Sequence, residues 1–61
     1  GSASAQYTLG NIYREGLEQV PIDLDKAEMW YTLAINNNDE KIANKAMDSM
    51  KLLLMDKAIA K

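Results

Sequence analysis

The segment GLEQVPIDLDKAEMWYTLA, residues 16–34, decides how this chain folds. It opens with Gly16, which can adopt the left-handed conformation that ends a helix without a Cβ penalty. Pro21 then prevents the same helix from continuing, and the carboxylate of Asp23 is suited to accept hydrogen bonds from the first amides of a new helix. The segment therefore predicts a loop between two helices, with the second helix starting at residue 23.

Helical periodicity continues on both sides of this segment. Before it, apolar and small residues recur with helical spacing at Ala5, Leu9, Ile12, Tyr13 and Gly16, and Ser2 or Ser4 is a candidate N-cap. After it, Asn36, Asn37 and Asn38 predict a turn, and Asp39 or Asn38 is the candidate cap of a long third helix. We predict an all-α fold with helices near residues 4–16, 23–36 and 39–60, the first two antiparallel and the third packed across them.

A few positions are expected to bring these helices together. Glycine inside a helix costs about 1 kcal/mol relative to alanine, so we interpret Gly10 as a point of close helix approach. Trp30 is expected to be the large buried aromatic opposite it, on a face shared with Ala27, Tyr31 and Ala34. One stripe of the third helix is expected to dock on this hairpin, and it comprises Ala43, Ala46, Met47, Met50, Leu53, Leu54 and Ala58. A second stripe has nothing left in the chain to cover it, and it comprises Leu52, Met55 and Ile59.

Composition excludes several classes of function. The 61 residues carry seven basic and nine acidic side chains, interspersed, with a net charge of −2, so there is no basic stripe to follow a nucleic acid backbone. The apolar run at residues 52–55 is far shorter than the roughly 20 residues of a membrane span. Cysteine and histidine are absent from the sequence, which removes the usual zinc ligands and the commonest general base. We expect no enzyme, no cofactor, no metal and no small-molecule substrate.

Three groups of side chains admit a functional interpretation besides a structural one. Asp23, Asp25 and Glu28 could bind Mg²⁺ or Ca²⁺, but their spacing at a helix start favours capping, either by Asp23 or by an Asp25–Glu28 capping box. Trp30 and Tyr31 could form a cation–π platform, but aromatic residues on a core face favour packing. Three methionines of the third helix could either pack in the core or form an adaptable binding surface, and both interpretations stay open. These residues are Met47, Met50 and Met55.

The residues on either side of the loop resemble a known repeat. The run AQYTLGNIYREG, residues 5–16, is similar to the first helix of a Sel-one-like repeat, a relative of the tetratricopeptide repeat, and VPIDLDKAEMWYTLA, residues 20–34, resembles its second half. The loop is one residue longer than the family's usual G-x-G-V and lacks its second glycine, and Asn38 stands at the usual turn glycine. Gly1 and Ser2 look like a tag remnant. The resemblance implies an α-solenoid fragment, with a repeat hairpin at 3–38 and a capping helix at 39–61.

The resemblance also implies a function. Members of this family are scaffolds that bind other proteins, frequently in bacterial envelope, polarity or signalling systems, so an envelope, periplasmic or cytoplasmic setting is implied. The groove-lining candidates on the first helix are Ser4, Tyr7, Asn11, Arg14 and Glu15. The uncovered stripe of the third helix predicts contact with a protein partner or with a second copy of the chain. The alternative is a purely structural terminal cap, which should present a polar outer face.

Overall fold

The computed structural model describes residues 2–59, and within that range the chain forms three α-helices and no strand. Helix α1 spans Ala3–Glu15, α2 spans Leu24–Ile35 and α3 spans Glu40–Ile59. The predicted all-α class and order of helices are confirmed, and each predicted helix boundary within the described range lies one residue from the observed boundary. The predicted end of the third helix at residue 60 lies outside the described residues, as do residues 1 and 61.

Side chains cap the helices where the sequence places polar residues. The Ser2 hydroxyl accepts from the amide three residues on at 3.4 Å, and the carboxylates of Asp23 and Asp39 do the same at 3.0 and 3.2 Å. Gly16 ends α1 with φ of 70°, and its amide donates to the Ile12 carbonyl at 2.8 Å. Local capping chemistry therefore fixes the helix boundaries, and Ser2, expected to be a tag remnant, acts as the first of these caps.

The loop between α1 and α2 has a backbone that its sequence does not favour. A short turn covers Leu17–Gln19, in which Glu18 and Gln19 have φ of 54° and 64°. The left-handed region costs a residue with a Cβ roughly 1–2 kcal/mol. The loop nevertheless closes tightly, because the Asp23 amide donates to the Tyr13 carbonyl at 2.9 Å. The second helix consequently starts beside the end of the first.

The three helices pack together, with each one in contact with the other two. At the far end of the α1–α2 hairpin the Asn37 side chain donates to Gln6 at 3.0 Å, so the two helices are antiparallel. Lys57, near the end of α3, binds Asp25 and Glu28 at the start of α2, so α3 runs antiparallel to α2. The Cα atoms extend over 33 × 23 × 13 Å.

The core is centred on Tyr31 and Leu53, the large side chains that have no exposed surface. Small residues surround them, namely Ala27, Ala34 and Ala46. A Cβ atom on Gly10 would lie 2.5 Å from two carbons of the Tyr31 ring, so the predicted close approach at Gly10 is confirmed. Trp30 is half-buried, and its predicted place in the core was wrong. Tyr31 takes that place because it is turned about 100° around the helix from Trp30, towards α1 and α3 together.

Only part of the predicted docking stripe of α3 is buried. Ala46 and Leu53 are buried and Met50 is half-buried, whereas Leu54 is 50% exposed. Met47 and Ala58 are also exposed. The stripe is narrower than predicted because one thin hairpin covers only one side of α3, where Ser49 is also buried.

Candidate partner-binding surfaces

Residues expected to line a groove on α1 form hydrogen bonds with α2 instead. The Tyr31 hydroxyl donates to the side-chain oxygen of Asn11, and Nε of Arg14 donates to the same hydroxyl at 2.9 Å. The Nη2 atom of Arg14 also pairs with the Glu15 carboxylate at 2.9 Å. Asn11 and Arg14 therefore hold the central aromatic residue of α2 in place.

Tyr7 connects this network to the third helix. Its ring centroid lies 6.0 Å from that of Tyr31, with the ring planes tilted by 41°. Hydrogen bonds from Ser49, and secondarily from Asn11, lower the pKa of the Tyr7 phenol. Since Ser49 belongs to α3 and is buried, α3 crosses the part of α1 where an open groove was expected.

Electrostatic interactions of Arg14 link this network to the C-terminal part of α3. Burial opposes the charge of Arg14, but its hydrogen bond to Tyr31 and the nearby carboxylates of Glu15 and Asp56 outweigh that effect and raise the pKa of Arg14. Of the five groove candidates, only Ser4 and Glu15 are exposed. Of the expected groove, only the two terminal residues, Ser4 and Glu15, are therefore exposed to a partner.

The acidic residues at the start of α2 have structural partners. Asp23 caps the helix, as preferred from the sequence, while Lys57 Nζ lies 2.9 Å from Asp25 and 2.7 Å from Glu28. Both hydrogen bonds raise the pKa of Lys57, and the bond to Glu28 contributes more than the bond to Asp25. Within residues 2–59 no group of three or more acidic, cysteine or histidine side chains is placed to hold a metal ion. The acidic cluster joins α2 to α3.

The outer side of α3 carries a row of exposed apolar side chains. Leu52, Met55 and Ile59 are 52%, 60% and 79% exposed, and we call these three residues the α3 outer stripe. They lie away from the buried Leu53, as the sequence predicted. The stripe is flanked by Lys51 and Asp56, both exposed, and neither forms an ion pair within the described part of the chain.

A smaller apolar surface lies on α2. Met29 and Leu33 are 49% and 42% exposed and line a shallow depression together with Thr32. These two residues were not among the site residues predicted from the sequence. The signal for them was available, because apolar residues occupy more than one side of α2.

Comparisons with protein-family models, with curated proteins and with solved structures gave no match for this chain. Of the helices in the described range, none combines the length and apolar character needed to cross a membrane. The fold defines a small all-α protein whose three helices pack compactly, and the similarity to a Sel-one-like repeat stays a prediction based on residues 5–34.

Proposed function

We propose that this chain is a non-enzymatic protein-interaction module, a Sel-one-like repeat hairpin with a terminal helix, which binds a protein through the α3 outer stripe. The observation that carries the proposal is the exposure of Leu52, Met55 and Ile59 along one side of a helix whose opposite side is buried. Full burial of such a side chain is worth about 1.5–3 kcal/mol. Contiguous exposed apolar patches of this kind mark interaction sites.

Exposed apolar side chains support the repeat interpretation. A single helical hairpin cannot bury its own apolar surface, and stacked neighbours complete the core of a solenoid. Large apolar side chains are exposed on both α2 and α3, where a neighbour could cover them. The contact of Gly10 with Tyr31 also supports it, because small residues on one helix receive large ones from the other.

The first-helix face is the weaker candidate for binding. Tyr7, Asn11 and Arg14 are engaged with Tyr31 and Ser49, so a partner would have to break these bonds to use them. A partner on the α3 outer stripe would meet side chains that are already in solvent. We therefore assign binding to α3, and we regard the exposed ends of the α1 set as secondary contacts at most.

A capture experiment with matched variants tests this function. The chain, its variant Leu52→Glu/Met55→Glu and its variant Met29→Glu/Leu33→Glu are immobilised and exposed to extract of the source organism, and bound proteins are identified by mass spectrometry. We expect a defined protein to bind the parent and the α2 variant but not the α3 variant. Circular dichroism checks that all three are helical. Identical capture by all three would overturn the proposal and favour a terminal cap without a partner.

A further inference from the structure

We propose that the α3 outer stripe binds a second copy of this chain, with the two α3 helices parallel and in register over residues 52–59. This inference rests on the proposed function, because it takes the α3 outer stripe as the binding surface. It adds the identity of the partner and the orientation of the contact.

The spacing of the stripe is that of a coiled-coil seam. Leu52, Met55 and Ile59 occupy successive a, d and a positions of a heptad, in which apolar residues of two helices meet along one line. Lys51 then occupies position g and Asp56 the following position e. Charged residues at e and g form ion pairs between helices and set their orientation.

Charge complementarity selects the parallel arrangement. In a parallel pair, a g residue lies against the next e residue of the partner, so Lys51 of one copy faces Asp56 of the other, and the two-fold symmetry repeats the pair. In an antiparallel pair, e faces e and g faces g, so Lys51 and Asp56 would not meet. The seam does not continue towards the N-terminus of α3. Lys45 and Asp48 occupy the a and d positions of the preceding heptad, where each would face the same charged residue of the second copy.

The hairpin leaves room for this contact. Leu53 and Ser49 face the hairpin and are buried, whereas the stripe and its flanking charges are exposed. Asp56 is exposed and forms no ion pair within the described residues, so its carboxylate is accessible to a second copy. A second α3 helix can therefore approach without displacing α1 or α2.

The contact is small, so the association should be weak. Eight helical residues extend about 12 Å, and stable protein interfaces bury roughly 1,200–2,000 Å². We expect monomer and dimer to exchange in the micromolar to millimolar range, with dimer favoured at low salt because the flanking ion pairs are exposed.

A charge exchange tests the pairing. The variant Lys51→Glu places two carboxylates together in the pair, and Asp56→Lys places two ammonium groups together, so each variant alone should be monomeric. An equimolar mixture restores opposite charges at both contacts and should associate like the parent. The control pair is Lys41→Glu and Glu40→Lys, which makes the same changes in net charge at the far end of α3 and should self-associate like the parent. Sedimentation velocity over a concentration series measures each sample.

A single cysteine reports the orientation. The sequence contains no cysteine, so Ile59→Cys introduces one thiol, which meets its own copy in a parallel pair and lies about two helical turns from it in an antiparallel pair. Oxidised glutathione should convert this variant to a disulfide dimer much faster than Thr8→Cys on α1. A parent that stays monomeric at every concentration, or a mixture that does not associate, would overturn the pairing. If capture of another protein still required Leu52 and Met55, the proposed function would stand; if capture were also absent, both proposals would be wrong.

Discussion

Tyr31 joins the three helices through both its ring and its hydroxyl. The ring packs on Gly10, and the hydroxyl connects Asn11 and Arg14. We expect Tyr31→Phe to lower the free energy of unfolding by about 1–3 kcal/mol, since both partners lose a hydrogen bond. Tyr31→Ala should cost about 3–5 kcal/mol. Urea denaturation followed by circular dichroism measures both, with half-buried Trp30→Ala as the comparison. A larger loss for Trp30→Ala would contradict this assignment of the core.

Gly10 provides a second test at the scale of one residue. Its added Cβ would lie 2.5 Å from two ring carbons of Tyr31, which is closer than non-bonded atoms can approach. We expect Gly10→Ala to destabilise the chain by about 1–3 kcal/mol through overpacking, although alanine favours helix by about 1 kcal/mol over glycine. Asn44→Ala, at an exposed position of α3, is the control and should cost nothing. Equal denaturation midpoints for both variants would place the helix contact elsewhere.

Trp30 was predicted to be the buried aromatic residue of α2, and Tyr31 is buried instead. This difference shows where hydrophobic periodicity stops being informative. Both residues lie on the apolar side of α2, and the spacing of apolar residues does not rank neighbours that differ by about 100°. Their burial depends on where α3 lies, which is a long-range property. Gly10 could be predicted because an interior glycine has an energetic cost that requires a local reason.

At the scale of an element, the α1–α2 loop contains removable strain. Gln19 has φ of 64°, a conformation that costs a residue with a Cβ roughly 1–2 kcal/mol and glycine little. We expect Gln19→Gly to raise the free energy of unfolding by about 0.5–1 kcal/mol, after the greater flexibility of glycine in the unfolded chain is subtracted. Val20→Gly, where φ is −84°, should instead lower it. Thermal denaturation compares the two variants. Destabilisation by both substitutions would contradict the presence of backbone strain at Gln19.

The contact between α2 and α3 should depend on pH through Lys57. Its folded pKa is raised, first by Glu28 and then by Asp25, so the folded chain holds this proton more tightly than the unfolded chain. The resulting stabilisation is present below the unfolded pKa of about 10.4 and is lost as the pH rises through the folded pKa. We expect the stability difference between the parent and Lys57→Gln to shrink above pH about 10. A difference between the parent and Lys57→Gln that stays constant up to pH about 11 would contradict the assignment.

The elements themselves were largely predictable, and the candidate groove was not. Gly16, Asp23 and Asp39 carry local conformational or capping signals, and the helices begin or end at them as expected. The groove on α1 was assigned from the resemblance to tetratricopeptide-like repeats. The residues that carry this resemblance contain no information about Ser49, which brings α3 against Tyr7.

At the scale of the whole molecule, the chain is compact but leaves much of its apolar surface exposed. The radius of gyration is 10.8 Å, close to the roughly 10.5 Å expected for a compact chain of this length. Yet the fully buried large side chains are Tyr31 and Leu53, while large apolar residues on α2 and α3 stay exposed. A chain this short removes only about 60% of its unfolded surface from water, so much apolar surface stays uncovered. Partner contacts would therefore add burial that the chain cannot achieve alone.

Three consecutive leucines on α3 test this description of the whole molecule. Leu53 has no exposed surface, whereas Leu52 and Leu54 are 52% and 50% exposed. We expect Leu53→Ala to cost about 2–5 kcal/mol, the range for truncating a buried leucine, and each neighbour to cost far less. The measurement is urea denaturation at a concentration low enough to keep the chain monomeric, so that association does not add apparent stability. Equal losses at all three positions would mean that α3 is covered all round, and the α3 outer stripe would then be core instead of a binding surface.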